Sequence, residues 1–218
     1  MKKFFSNNKI ITIVCFLFLL IVHFCFGNFI YAYLTNTDEV KAAFTIASDG
    51  LLENLSENFL LLEHKAIDSN KDASYELTDE EVLSNDYVVY PGVNIPKDPF
   101  VRIIDLQDTA YLYIEIVGEN NEDFKWDVTN KWLKTDLTGS RGGTIYVYSD
   151  NGIDAYVLSP ENETYFEAYI LKDINESING GIEISDNYTN NKILLKFYGY
   201  LAQEKGFDNY IEAFESCF

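Results

Sequence analysis

The stretch "AYLYIEIV", residues 110–117, decides the fold class of this chain because its apolar side chains alternate with a period of two. Leu112, Ile114 and Ile116 fall on one face of an extended chain, as a strand packed against a core requires. The same alternation recurs in four later stretches: "TIYVYS" (144–149), "DAYVLS" (154–159), "YFEAYIL" (165–171) and "KILLKFYGYLA" (192–202). These patterns predict a chain that is mostly β.

Turn-forming residues separate these stretches, in segments such as "GENNED" (118–123), "TGSRGG" (138–143) and "SDNG" (149–152). Glycine, asparagine, aspartate and serine favour turns for different conformational reasons. A parallel α/β sheet would need helical patterns of about 10–15 residues between the strands, and this region has none. We therefore predict an antiparallel β-sandwich of the jelly-roll or immunoglobulin-like kind.

Two segments have helical periodicity. Residues 51–66 carry a mixed helical spacing. In the terminal stretch "GFDNYIEAFESCF", helical spacing i, i+3, i+4 and i+7 is occupied by Phe207, Tyr210, Ile211 and Phe214. Asp208 is the candidate N-cap. This pattern predicts a short C-terminal helix that packs one apolar stripe onto the sandwich.

The N-terminal segment has the charge asymmetry of an export signal. Lys2, Lys3 and Lys9 precede an apolar run over residues 10–26, and the first carboxylate is that of Asp38. Positive charge before an apolar helix keeps the N-terminus in the cytoplasm and places the downstream chain outside. We therefore expect an N-terminal targeting helix on a secreted or cell-surface protein.

The targeting helix is either a signal peptide or a membrane anchor. It is longer than a secretory core of about 7–15 residues and, when extended, approaches the roughly 20 residues that span a bilayer. Ala32 is the small residue best placed for cleavage, which would make Tyr33 the first mature residue. The expected boundaries are 1–32 for the signal peptide or anchor and 33–218 for the sandwich domain. Membrane contact is expected only through the first segment.

The composition excludes some classes of partner. The chain has 16 basic and 35 acidic residues, with a net charge of −19 at pH 7. Nucleic acid is not an expected partner because phosphate binding needs positive charge. Residues 53–86 are interpreted as an acidic insertion in the domain. Only Cys217 lies outside the apolar segment, so no intramolecular disulfide is expected in the mature chain.

A second alternation follows the predicted cleavage point. In "EVKAAFTIA" (39–47), one face of a strand is formed by Val40, Ala42, Phe44 and Ile46. Cleavage would make this the N-terminal strand of the mature protein. Such a strand can complete its own sheet or that of another molecule, since main-chain hydrogen bonds do not distinguish the two.

Four stretches, in order along the chain, resemble one family of exported proteins. They are "AYLTNTDEVKAAFTI" (32–46), "YPGVNIPKDPFVRI" (90–103), "DTAYLYIEI" (108–116) and "YGYLAQEKGFDNYIEAF" (198–214). They resemble the Gram-positive proteins matured by a SipW-type signal peptidase, the group of TasA, camelysin and BsaA-like biofilm matrix proteins. The resemblance covers nearly the whole chain except about residues 53–86.

This resemblance implies a secreted structural protein that assembles into extracellular fibres of a biofilm matrix. It implies self-association into a homopolymer by donation of the N-terminal strand, with Val40, Ala42, Phe44 and Ile46 as the donor face. A SipW-type signal peptidase would be a partner during export. The alternative functions are a monomeric cell-surface or secreted binding module and a calcium-dependent adhesin.

The segment "PGVNIPKDP" (91–99) is predicted to be extended or at a sheet edge, because proline restricts φ and cannot donate to a ladder. Its neighbouring Lys97 and Asp98 are expected to form a local surface ion pair. Trp126 and Trp132 are interpreted as partly buried packing anchors, with a sugar-stacking pair as the alternative.

No catalytic motif is present in the sequence. The histidines are His23, in the targeting segment, and His64, and there is no H-E-x-x-H, G-x-S-x-G or glycine-rich phosphate loop. We therefore expect neither an enzyme nor a bound cofactor.

One acidic stretch has calcium-loop spacing. "DSNKDASYELTD" places oxygen-bearing side chains at positions 1, 3, 5, 9 and 12 of a loop like that of an EF-hand: Asp68, Asn70, Asp72, Glu76 and Asp79. Position 6, which needs glycine, is Ala73, and position 12 is the shorter Asp79. A solvated acidic segment is the preferred interpretation.

Overall fold

The structure, a computed structural model, describes residues 32–34, 55–70, 74–118, 120–161, 164–173, 181–188 and 195–217. In these ranges there are thirteen strands and two short helices. The strands are β1 (Ala32–Leu34), β2 (Phe59–Ile67), β3 (Glu76–Val82), β4 (Tyr87–Val89), β5 (Phe100–Ile104), β6 (Ala110–Gly118), β7 (Phe124–Lys125), β8 (Trp132–Thr138), β9 (Thr144–Tyr148), β10 (Val157–Leu158), β11 (Tyr165–Tyr169), β12 (Glu183–Ile184) and β13 (Leu195–Gln203). The helices are α1 (Leu55–Asn58) and α2 (Tyr210–Glu215).

The strands form two main antiparallel sheets. In the five-stranded sheet, β6 pairs with β9, β10 and β13, and β8 pairs with β9. The four-stranded sheet has the order β11-β5-β2-β3. Two further pairs, β1 with β4 and β7 with β12, lie outside these sheets. The predicted antiparallel β-sandwich with a short C-terminal helix is confirmed.

Strand β6 is buried on both of its faces. Leu112, Ile114 and Ile116 lie in one apolar cluster with inward side chains of β2 and β5. Tyr113 belongs to a second cluster with Phe214 of α2, and the two ring centroids are 5.0 Å apart. A strand covered on both sides has apolar residues at nearly every position, which is why "AYLYIEIV" has few polar residues.

The prediction of a helix over residues 51–66 is wrong after Asn58. Within the described residues only Leu55–Asn58 is helical, and the chain then continues directly as strand β2. Phe59, Leu61 and Glu63 are buried at alternate positions, and β2 pairs with β5. Tertiary pairing thus overrides a weak local helical pattern. The range interpreted as an acidic insertion contributes β2 and β3 to the four-stranded sheet.

The N-cap of the C-terminal helix lies one residue after the predicted cap. The Asn209 side chain accepts hydrogen bonds from the backbone N–H groups of Ile211 and Glu212, so Asn209 and not Asp208 is the N-cap. Phe214 is 2% exposed, whereas Ile211, expected on the same stripe, is 41% exposed. The helix is only six residues long, and Ala213 joins Phe214 in its buried face.

An Asn209→Ala variant is expected to lower the free energy of unfolding by about 1 kcal/mol, because two helix N–H groups lose their acceptor. Asp208→Ala is the matched control and should change it by less than about 0.5 kcal/mol. Urea unfolding followed by circular dichroism measures both values. Equal effects of the two variants would contradict the assignment of the cap.

The predicted targeting helix and the donor face Val40, Ala42, Phe44 and Ile46 lie outside the described residues. Ala32 and Tyr33, which flank the predicted cleavage bond, lie in β1. Over the ranges that the structure does cover, no helix has the length and apolarity needed to span a bilayer.

Candidate binding cleft

A cleft of about 970 Å³ opens in the four-stranded sheet at the point where β5 begins. Strand β5 starts at Phe100, directly after Pro99, whereas its neighbour β2 continues to Ile67. On the other side, the chain after β11 runs on beside residues 127–129, with a bridge between Val128 and Leu171. Because proline cannot donate to a ladder, the sheet opens between these two walls. The prediction that residues 91–99 form no central strand is confirmed, since this segment begins with a turn at Pro91 and Gly92 and has only an isolated bridge at Ile95.

The inner end of the cleft is lined by a hydrogen-bonded pair, His64 and Asp98. Asp98 Oδ1 accepts from the His64 backbone N–H at 3.0 Å, and Oδ2 lies 2.6 Å from His64 Nδ1. An ionised carboxylate can only accept, so Nδ1 carries the hydrogen and Nε2 has no hydrogen-bond partner among the described residues. The Asp98 side chain is 3% exposed and that of His64 is 24% exposed. Burial raises the pKa of Asp98, and the hydrogen bonds from His64 oppose that rise.

Tyr169, at the end of β11, supplies an aromatic surface to the cleft. Tyr169 is 41% exposed. The centroid of its ring lies 5.2 Å from that of Phe100 and 6.5 Å from that of His64. Its carbonyl oxygen accepts from Trp132 Nε1 at 2.8 Å and from Thr129 Oγ1 at 3.2 Å. Burial raises the pKa of Tyr169, so the hydroxyl remains a hydrogen-bond donor at neutral pH.

The rim of the cleft carries side chains of different hydrogen-bonding types. Asp79 of β3 lies on one wall, and Asn130 and Lys172 lie on the other. All three residues are exposed, and their side chains make no hydrogen bond or ion pair within the described part of the chain. The rim therefore offers a carboxylate, an amide and an ammonium group to a ligand.

Next to the His64–Asp98 pair lies a buried ion pair that sequence reasoning missed. Lys97 Nζ lies 2.8 Å from Glu63 Oε2, and both side chains are at most 3% exposed. Glu63 Oε1 also accepts from the backbone N–H of Asn85 at 2.6 Å. The expected surface pair of Lys97 with Asp98 is therefore wrong, because the two neighbouring residues bind different residues of β2.

The two tryptophans are packing anchors, as predicted. Trp126 is 8% exposed and Trp132 is 4% exposed, and both belong to the main apolar cluster. Because more than nine-tenths of each residue is buried, the packing interpretation holds over the sugar-stacking alternative. The aromatic side chain at the cleft is Tyr169, which the sequence did not single out.

The calcium-loop spacing does not correspond to a continuous loop. Glu76 and Asp79 belong to β3, where Glu76 pairs with Ile67 of β2. Asp72 lies outside the described residues, and among those that are described no group of three acidic, histidine or cysteine residues is arranged to hold a metal ion. An EF-hand needs its ligands on one loop between two helices, whereas this segment joins two strands of a hairpin.

Comparison with known proteins does not extend this description. No protein-family model matches the chain, and no curated protein or solved structure is significantly similar to it. The resemblance of its four stretches to the SipW-dependent matrix proteins therefore stays a prediction. His64 was the residue that could have marked the cleft in advance, since it is the single histidine beyond the apolar segment.

Proposed function

We propose that the protein is an exported structural protein whose copies assemble into extracellular fibres by exchange of the N-terminal strand. The predicted export signal and the four family-like stretches support a matrix protein. The supporting observation in the fold is the pairing of β1 with β4, which runs from Ala32 opposite Val89 to Leu34 opposite Tyr87. Residues at the predicted cleavage border thus already pair as a strand with the domain.

Strand β4 is suited to accept an exchanged strand. Its side chains Tyr87 and Val89 are each 1% exposed, so β4 is anchored in the core while its edge pairs with β1. Within the described residues β1 is its single strand partner. Main-chain hydrogen bonds at such an edge form equally well with the same chain or with a neighbour.

Deletion of residues 33–47 tests the proposal. The deleted domain is expected to keep its β-type circular dichroism but to form no filaments in electron micrographs. If the strand served only its own domain, the deletion would collapse the fold at every concentration. Normal filaments from the deleted protein would overturn strand exchange.

Synthetic peptides covering residues 33–47 refine the test. The unmodified peptide is expected to bind the deleted protein, and a Phe44→Asp peptide is expected not to bind, since it would bury an unpaired charge. A Thr45→Asp peptide is the matched control, because it carries the same charge on the opposite face of the strand. Equal binding of the two aspartate peptides would contradict the proposed donor face.

The cleft favours a second candidate, a cell-surface or secreted binding module that acts as a monomer. This function requires that a ligand binds in the cleft, and it does not involve strand exchange. The two candidates differ in electron micrographs, since only the first predicts that the intact protein forms filaments and that the deletion abolishes them.

A further inference from the structure

We propose that the cleft beside His64 and Asp98 binds a neutral oligosaccharide. This inference does not depend on strand exchange, because all of its residues belong to one chain. It rests on the size of the cleft, its aromatic surface and the mixture of charge signs and polar groups along its walls.

The dimensions of the cleft suit several sugar units. A volume of about 970 Å³ lies at the upper end of the roughly 300–1,000 Å³ that is usual for small-molecule sites. The cleft is open to solvent between two walls, one formed by β3 and the other by residues 171–173.

Tyr169 supplies the surface on which a sugar ring could pack. The flat apolar face of a pyranose presents C–H groups, and these pack against aromatic rings while the hydroxyl groups remain available for hydrogen bonds. The packing of Tyr169 against Phe100, together with the hydrogen bonds to its carbonyl, holds this residue in place before a ligand arrives. Such preorganisation lowers the entropic cost of binding.

The polar groups favour hydroxyl groups over charged ligands. Each sugar hydroxyl both donates and accepts, and the cleft offers acceptors at Asp79, donors at Lys172 and both at Asn130. The exposed wall charges are the carboxylates of Asp79 and Asp173 and the ammonium group of Lys172, so an anionic ligand would meet more like charge than opposite charge. Phosphorylated or uronic-acid ligands are further disfavoured by the net charge of −19.

Isothermal titration calorimetry of the full-length protein in mild detergent tests the proposal. The probes are neutral hexasaccharides of the glucan, galactan and N-acetylglucosamine types, with polygalacturonate and glucosamine oligomers as anionic and cationic comparisons. We expect at least one neutral probe to bind at millimolar or lower concentration. No binding of any neutral probe, or binding of a charged probe alone, would overturn the assignment.

Tyr169→Ala should raise the Kd for the bound probe at least about tenfold. Tyr165→Ala is the matched control, since Tyr165 lies on the same face of β11, is 55% exposed and does not line the cleft. Asn130→Ala supplies a second test at an exposed position that leaves the sheet intact, and it should also weaken binding. Unchanged affinity in the Tyr169 and Asn130 variants would place the saccharide elsewhere.

Discussion

Lys97→Met is expected to lower the free energy of unfolding by about 3–5 kcal/mol, because it leaves the Glu63 carboxylate buried without its counter-ion. Lys97 Nζ lies 2.8 Å from Glu63 Oε2, and 5.9 Å and 5.8 Å from the ring centroids of Tyr87 and Phe197. The Lys97 ammonium group thus lies between two aromatic rings and the Glu63 carboxylate. Domains of this kind have total stabilities of about 5–15 kcal/mol, so the loss is a large part of the whole.

Urea unfolding of three variants tests whether the loss of stability comes from the buried charge. Lys65→Met is the matched control, because Lys65 pairs with Glu80 at 2.7 Å but the two side chains are 42% and 60% exposed, and its loss should cost about 0–1 kcal/mol. In a Lys97→Met, Glu63→Gln double variant, the buried charge is gone and most of the stability should return. A Lys97→Met protein as stable as the Lys65→Met control would show that the pair is not buried.

Glu115→Ala is expected to have an effect of similar size, about 3–5 kcal/mol, because Glu115 is fully buried and accepts several hydrogen bonds. Its Oε1 accepts from the backbone N–H groups of Arg141 at 3.0 Å and Gly143 at 2.9 Å. Its Oε2 accepts from the Tyr200 hydroxyl at 2.5 Å. Truncation would leave these donors without an acceptor.

The turn over Glu115 also explains the glycines of "TGSRGG". A Cβ at Gly143 would lie 2.6 Å from the Glu115 side chain, so only glycine allows this close approach. Burial and the hydrogen bond to Glu115 raise the pKa of Tyr200 to about 12. The Tyr200 hydroxyl is therefore a donor throughout the neutral range.

Two variants separate the role of Glu115 from a general effect of removing a carboxylate. Glu115→Gln keeps a side-chain oxygen for the two backbone N–H groups and should cost clearly less than the alanine variant. Glu183→Ala removes an exposed carboxylate from β12 and should change stability by less than about 0.5 kcal/mol. Thermal unfolding of the three variants measures these differences. A Glu115→Ala protein with the stability of the Glu183→Ala control would refute the account.

Much of the sandwich was predictable from local patterns. The alternation around Leu112 and Phe166 specified strands that the structure contains, because the side-chain period of a strand is a property of the backbone itself. Pro96 and Pro99 predicted a segment outside the strand ladders, since proline has no backbone N–H to donate in any tertiary setting. The burial of Trp132 followed from the large apolar area of its side chain.

The sequence by itself thus determined the strand periodicity, the antiparallel class and the C-terminal helix, all of which depend on residues close together in the chain. Only the tertiary structure decided that Phe59 begins a strand, because pairing with β5 outweighs a weak local helical pattern. It also decided the partners of Lys97 and Asp98, which lie 34 positions away at Glu63 and His64. Buried charges choose partners by distance in space and by the cost of desolvation, and neither quantity can be read from neighbours in the sequence.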